Sequence, residues 1–273
     1  LVWPRSHPAG GACKNCPNCV ALGCMAWLTK IGCHLELLKP RPDHSEEDQK
    51  YYSDFARMAF GEEQLEAVGG LQPQSRLMDL ASTEHCGKMR VLEKLLPIWK
   101  KCGNKLLLFS CYTKVLDILG KFMTSKGYQY LRLDGKTPSH MRLSYCDHFN
   151  NDSSIFCFLI STNAGGVGLN LTGADRVVIF DPNWNPAHDA QAQDRAYRIG
   201  QRKDVKVFRL VSSGSIEEQK YIRQMYKNQV NNETLTGRVE RRYFEGVAKD
   251  PTQKGALFGF RNLFRLEPDG HLR

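Results

Sequence analysis

This 273-residue sequence has no run of about 18 consecutive apolar residues, so nothing in it reads as a membrane-spanning helix. It lacks a starting methionine and a signal-peptide pattern, and its opening, LVWPRSHPAGG, reads as the cut edge of a longer chain. No phosphate-cradling GxxxxGK(S/T) loop is present. The one GK(S/T) triplet is Gly135-Lys136-Thr137, and Tyr130 stands where that motif needs its first glycine. An acidic DE-x-H box is missing too, so the chain carries no self-contained nucleotide-hydrolysis machinery. Neither internal repeats nor low-complexity tracts occur, which excludes solenoid and fibrous architectures.

What is present is the composition of an ordinary folded protein, 41% hydrophobic and 25% charged. The formal net charge is +9, and the stretch from Asp43 to Glu66 is acidic, so the remainder is more basic than the mean. Such a balance favours a polyanionic partner such as nucleic acid without proving one. Of ten cysteines, Cys86, Cys102, Cys111, Cys146 and Cys157 are scattered, as reduced structural thiols are. Cys13, Cys16, Cys19 and Cys24 crowd into CKNCPNCVALGC. That spacing is compatible with four thiolates around zinc and equally with free thiols in a loop, since two well-separated CxxC knuckles are lacking.

Residues 1–85 read as a Cys-, Gly- and Pro-rich start followed by polar helices, with Asp43 and Ser45 as candidate N-caps, and then a linker. From Lys88 the pattern alternates. KMRVLEKLLPIWKKC has helical spacing and stops at Gly103; KLLLFS is a strand; KVLDILGKFMTSKG is a helix closing at Gly127. YQYLRLDG, IFCFLIST, RVVIFDP and DVKVFRLVS follow as strands, separated by helices over SHMRLSYCDHFN and NPAHDAQAQDRAYRIG, and GSIEEQKYIRQMYKNQV is a last helix. The unbroken apolarity of IFCFLI predicts burial on both faces. This alternation predicts an α/β fold: a parallel sheet with helices on both faces over 86–230, and an extension over 231–273. Function in such sheets gathers at the carboxyl ends of the strands, here FSCYT, LDGKT, STNAGGVG and DPNWNP.

Each of these ends supports two readings. Ser161, Thr162 and the glycines 165, 166 and 168 offer hydroxyls and close backbone approach to a phosphate, or simply a tight turn. Trp184, held between prolines, is placed to stack on a base or sugar, or to pack beneath its own loop. Gly135 and Thr137, and more weakly Ser110, suit contacts to a nucleic-acid backbone. In QAQDRAYRIGQ, a helix capped by Asn185 with Pro186 at its first position and Gly200 at its end would put Gln191, Arg195 and Arg198 along one stripe. Two planar guanidiniums there suit a phosphate, and the bland alternative is a solvated face.

In this order and spacing, the segments resemble the second RecA-like lobe of the Swi/Snf-type ATPases of helicase superfamily two. KLLLFSCYTKVLDIL is similar to motif IV, YLRLDGKTPSHMR to the motif after it, LISTNAGGVGLNLTGAD to motif V and DAQAQDRAYRIGQ to motif VI. The tail RRYFEGVAKDPTQKGALFGFRNLF resembles the excision-repair branch of Cockayne syndrome B-like proteins and their helicase-like relatives. The resemblance covers roughly Leu35 to Val230. It implies that Arg195 and Arg198 are arginine fingers, with Gln191 beside them, and that Gly168 and Asn170 touch ATP. It further implies that Ser110, Gly135, Thr137, Ser161, Thr162 and Trp184 contact DNA. Asn163 departs from the basic residue frequent there, which weakens a phosphate contact.

ATP with Mg²⁺, held mainly by a first lobe this chain lacks, double-stranded DNA, chromatin or repair proteins, and a nuclear location are the implied cofactor, partners and compartment. Residues 1–85 then include the end of lobe one. The alternative class is a DNA- or protein-binding module without an ATPase partner.

Overall fold

The computed structural model describes residues 17–41, 44–67, 70–71, 83–84, 86–164 and 168–236. Cys13, Cys16, the side chain of Cys19, Asp43, the glycines 165 and 166, and the tail beyond 236 lie outside them. The elements in chain order are α1 (Pro17–Cys33), a 3-10 turn (Leu35–Leu38), α2 (Glu46–Phe60), α3 (Glu62–Ala67), α4 (Gly87–Lys101), β1 (Leu106–Ser110) and α5 (Thr113–Ser125). They continue with β2 (Tyr130–Leu133), α6 (Ser139–Asn151), β3 (Cys157–Ser161), β4 (Arg176–Ile179), α7 (Pro186–Gln193), β5 (Lys206–Arg209) and α8 (Ile216–Thr236).

Local chemistry explains the element ends. Ser45 caps α2, its side chain accepting the Asp48 N–H, and Asn185 caps α7 by accepting the Ala187 N–H. Gly103 and Gly127 follow α4 and α5 with φ of 69° and 72°, the left-handed stop that favours glycine.

All five strands are parallel, in the order β2-β3-β1-β4-β5. The chain leaves central β1 for the β2 edge and returns to β3, so right-handed crossovers put α5 on one face and α6 on the other. Burial agrees. Leu106 and Leu108 of β1 pack with Met89, Leu92 and Leu96 of α4 and with Leu116, Leu119 and Phe122 of α5. Leu107 and Phe109 point the opposite way, to Phe149 of α6 and Ala192 of α7. β1 and β3 are buried along their whole length, which is why both read as unbroken apolar runs.

The first helices form a smaller cluster of their own, with Trp27 stacked on Phe55 at 4.1 Å. Polar ties join it to the sheet unit: the Ser212 hydroxyl donates to the Gly32 carbonyl at 2.6 Å, and the Cys86 thiol to the Cys33 carbonyl at 3.3 Å. None of the described helices is long and apolar enough to cross a membrane.

Candidate functional site

Because every strand runs the same way, the loops after β1, β2, β3 and β4 emerge along one edge of the sheet. A groove of about 500 Å³ lies there, with Arg41, Thr113, Gly135, Arg142, Ser161 and Asn163 in its walls and no acidic residue among those that line it. Two guanidiniums without a carboxylate make it attractive to phosphate. The turn after β2 is closed on itself. Thr137 Oγ1 accepts the Asp134 N–H at 3.1 Å, and the Thr137 N–H returns to the Asp134 carbonyl at 3.1 Å. Gly135 at its tip is exposed and not left-handed, and a Cβ there would meet nothing within 4 Å. The fold itself therefore does not demand glycine, whose bare backbone leaves room for a molecule from outside.

Arg142 ties this turn to the loop after β3, donating from Nε to the Thr137 carbonyl at 3.1 Å and from Nη1 to that of Ala164 at 3.3 Å. Sequence reading passed over Arg142 and Arg41, since isolated arginines carry no signal until the topology brings them together. Ser161 is buried and Thr162 half-buried beside the groove. Ser110 is placed differently. It is fully buried, its hydroxyl accepts the Tyr112 N–H at 3.1 Å, and it hydrogen-bonds Asp181 inside the fold.

The expected helix through QAQDRAYRIGQ is shorter than its pattern predicts. It ends at Gln193, with Asp194 as C-cap, so exposed Gln191 is helical whereas Arg195 and Arg198 lie in turns beyond it, and the three do not share a helical stripe. Competing bonds end the helix. The Arg195 carbonyl accepts the Leu171 N–H at 3.1 Å, and buried Ala196 joins the core under the sheet. The Gln201 amide then staples the segment down, donating to the carbonyls of Thr172 (3.1 Å), Ala174 (2.8 Å) and Ala196 (3.1 Å).

The structure nevertheless brings four of the predicted residues to one place. Arg198 Nη1 donates to the carbonyls of Gly168 at 2.8 Å and Leu169 at 3.2 Å. Asn170 follows, exposed, its carbonyl accepting from Asn150 at 2.9 Å. Burial lowers the pKa of Arg195, and the nearby charge of Arg198 adds to the effect.

Trp184, 38% exposed, stands after β4 with Lys220 Nζ 4.9 Å from its ring centroid and the Arg223 guanidinium at 5.9 Å, both from α8. Its loop is held by Gln224, which donates to Asp189 Oδ2 at 2.7 Å. Behind it lies a buried polar cluster. Lys88 Nζ donates to the Phe180 carbonyl at 2.7 Å and contacts both Glu217 oxygens at 2.7 and 2.6 Å. Asp181 Oδ2 accepts the Cys111 N–H at 2.8 Å. Desolvation raises the pKa of Asp181 and of Glu217 and pushes the Cys111 thiol up to about 12. Lys88 and Glu217 stand 129 residues apart, so no local pattern reveals the pair. Cys24 is an exposed free thiol on α1, and the described residues hold no cluster able to bind a metal.

Comparison with known proteins places these residues in a family. The Helicase conserved C-terminal domain matches residues 87–200. The chain is 52% identical over 265 residues to Switch 2 of Arabidopsis thaliana, covering 97% of this chain and 31% of that protein. It is 50% identical over 199 residues to DNA excision repair protein ERCC-6 of Homo sapiens, covering 68% of this chain and 13% of that one. It thus spans about a third or less of these relatives. The crystal structure of the C-terminal part of the Fun30 ATPase domain superposes with a TM-score of 0.58 at 29% identity, covering 79% of this chain and 78% of that one. With the parallel sheet and the loop–arginine contacts it already shows, the chain belongs to the Swi/Snf-type superfamily-two proteins as their C-terminal RecA-like lobe, in the branch of the Cockayne syndrome B-like repair proteins.

Proposed function

We propose that this lobe is the second half of a DNA-dependent ATP hydrolase that translocates along double-stranded DNA in the nucleus, in repair or chromatin remodelling. One observation carries the reading. Arg198 is exposed, rests on two backbone carbonyls, and forms no ion pair among the described residues, so its charge remains available to an anion from outside the lobe. ATP with Mg²⁺, held mainly by a first lobe, supplies a γ-phosphoryl group whose equatorial oxygens gather negative charge during transfer. Arg198 and Arg195 fit that role because a guanidinium stays charged and presents fixed donors. Gly168 and Asn170, beside Arg198, border the nucleotide.

On the sheet edge, Gly135, Thr137, Ser161 and Thr162, together with Arg41 and Arg142, grip the DNA backbone, and Trp184 rests against a strand. Ser110, being buried, acts through Asp181 and the β1 loop. Residues 1–85 include the end of the first lobe, with a Cys-rich segment and a linker, and Zn at the Cys13–Cys24 cluster is a separate proposal that metal analysis of the purified chain would settle.

The test joins this chain to its first lobe and measures DNA-stimulated ATP hydrolysis. Arg198→Ala should lower the rate by roughly 10³–10⁵, while DNA binding persists. An unchanged rate would overturn the finger assignment.

A further inference from the structure

Asn150, in the last turn of α6, sits against the segment that follows the Arg198 contacts. Its amide is bonded at both ends: Nδ2 donates to the Asn170 carbonyl at 2.9 Å, and Oδ1 accepts the Gly173 N–H at 2.9 Å. A carbonyl and the N–H three residues on are the pair that a β-turn joins directly. Here a side-chain amide lies between them and bonds each as a peptide group would. The fit is close. A Cβ on Gly173 would fall 2.9 Å from Asn150 Oδ1 and 3.0 Å from Asn150 Cα, so its neighbour, not a left-handed backbone, requires glycine there. The core seats the same segment, with Leu169 and Leu171 1% and 0% exposed and Asn170 exposed between them.

We propose that Asn150 is a positioning residue for the nucleotide edge, fixing where Asn170 meets ATP. The inference rests on the motor reading, in which Gly168 and Asn170 border the nucleotide. Arg198 holds the carbonyls of Gly168 and Leu169, and the Arg195 carbonyl holds the Leu171 N–H. Those ties all come from the arginine segment. Asn150 adds one from a different element, α6, whose end is itself fastened to the sheet where Lys105 Nζ donates to the Asp152 carbonyl at 2.7 Å. The two halves of the amide do different work. The acceptor half seats Gly173, and the donor half holds the carbonyl of Asn170 itself. Aspartate, of the same shape, keeps the first bond but sets an oxygen against the Asn170 carbonyl. Local protection therefore follows the acceptor, and nucleotide affinity follows the donor.

Steady-state ATP hydrolysis at saturating duplex DNA by the complete protein, this chain joined to its first lobe, tests it. Asn150→Ala and Asn150→Asp should each raise the KM for ATP about three- to tenfold, the worth of one hydrogen bond, with DNA affinity within about twofold of the unaltered protein's. A merely structural role would lower the active fraction, and so kcat, while leaving KM in place, and Asn150→Asp would rescue it. Hydrogen exchange separates the two halves. The Gly173 amide should exchange at least about tenfold faster in Asn150→Ala and at the unaltered rate in Asn150→Asp. An unchanged KM for ATP in Asn150→Asp, or unchanged protection of Gly173 in Asn150→Ala, overturns the proposal. Where the unaltered protein hydrolyses ATP and Arg198→Ala does not, that failure falls on Asn150 alone. An unaltered protein without DNA-stimulated hydrolysis overturns the motor reading and this inference with it.

Discussion

Replacing Lys88 by Met removes the cation from the most enclosed ion pair of the described structure. Lys88 is 4% exposed and Glu217 0%, so water cannot take over the role of the missing ammonium. Three contacts go at once: both Glu217 oxygens lose their partner, and so does the Phe180 carbonyl. Glu217 keeps only the Ser212 N–H at 3.1 Å. Removing one partner of a buried pair costs about 3–5 kcal/mol, which for a chain of this size lowers the melting temperature by roughly 6–20 °C. The double variant Lys88→Met/Glu217→Leu strands no charge. Its cost is set by the unmatched Phe180 carbonyl and Ser212 N–H, about 1–3 kcal/mol for each group left unmet, and should fall short of the two singles summed.

The pH dependence gives a second handle. Burial raises the Glu217 pKa, Lys88 opposes that rise, and Asp181 adds to it. Without Lys88 the folded pKa climbs further. A carboxyl raised in the folded state contributes stability below its unfolded pKa and loses it as pH rises through the folded value. The deficit of Lys88→Met should therefore be smallest near pH 4–5 and grow towards pH 8. Urea unfolding followed by circular dichroism, with unchanged slope, measures both quantities. A single variant costing less than about 1 kcal/mol, or a double variant as costly as the two singles summed, would refute the reasoning.

Gln201→Ala releases three carbonyls between the 168–174 loop and the turn after α7, and should speed hydrogen exchange at the Leu171 amide by about tenfold or more. Protection unchanged there would mean that the backbone bond to Arg195 holds the loop unaided. Asp181→Asn should flatten the fall in stability with rising pH that a raised carboxyl causes above about pH 4, read from melting temperatures across pH 4–8. Iodoacetamide followed by mass spectrometry should label exposed Cys24 and Cys102 in the native chain and spare buried Cys33, Cys146 and Cys157. Equal labelling of Cys157 would contradict its place in the central sheet.

Much of the sheet was legible because its signals are local. β1 and β3 are buried on both faces and so are spelled as continuous apolar runs, and glycines 103 and 127 mark helix ends because only a left-handed residue fits there. The shared edge follows from parallel strands, which put the loops of Gly135, Ser161 and Trp184 at the same end of the sheet. Ser110 escaped the same logic, because the last residue of a strand can turn inward or outward and sequence does not record which. The Lys88–Glu217 pair escaped it too, since a lysine and a glutamate in two amphipathic helices look like surface residues until those helices meet.

The misjudged helix is the most informative case. From Asn185 to Gly200 every local rule favours continuation, yet α7 stops at Gln193 because the segment after it is committed elsewhere: the Arg195 carbonyl to the Leu171 N–H 24 residues away, and the Arg198 and Gln201 side chains to carbonyls 30 and 29 residues away. Long-range bonds override propensity when they satisfy groups that would otherwise be buried unpaired. The consequence reaches function. A helical Arg198 would be positioned by α7, whereas here it is positioned by Gly168, Leu169 and the Gln201 staple. Arg198 and the backbone at Gly168 and Leu169 are therefore tied by two hydrogen bonds, so a ligand that displaces one is expected to displace the other. On the proposed reading, contact with nucleotide at Gly168 and Asn170 and the aim of Arg198 become a single adjustment.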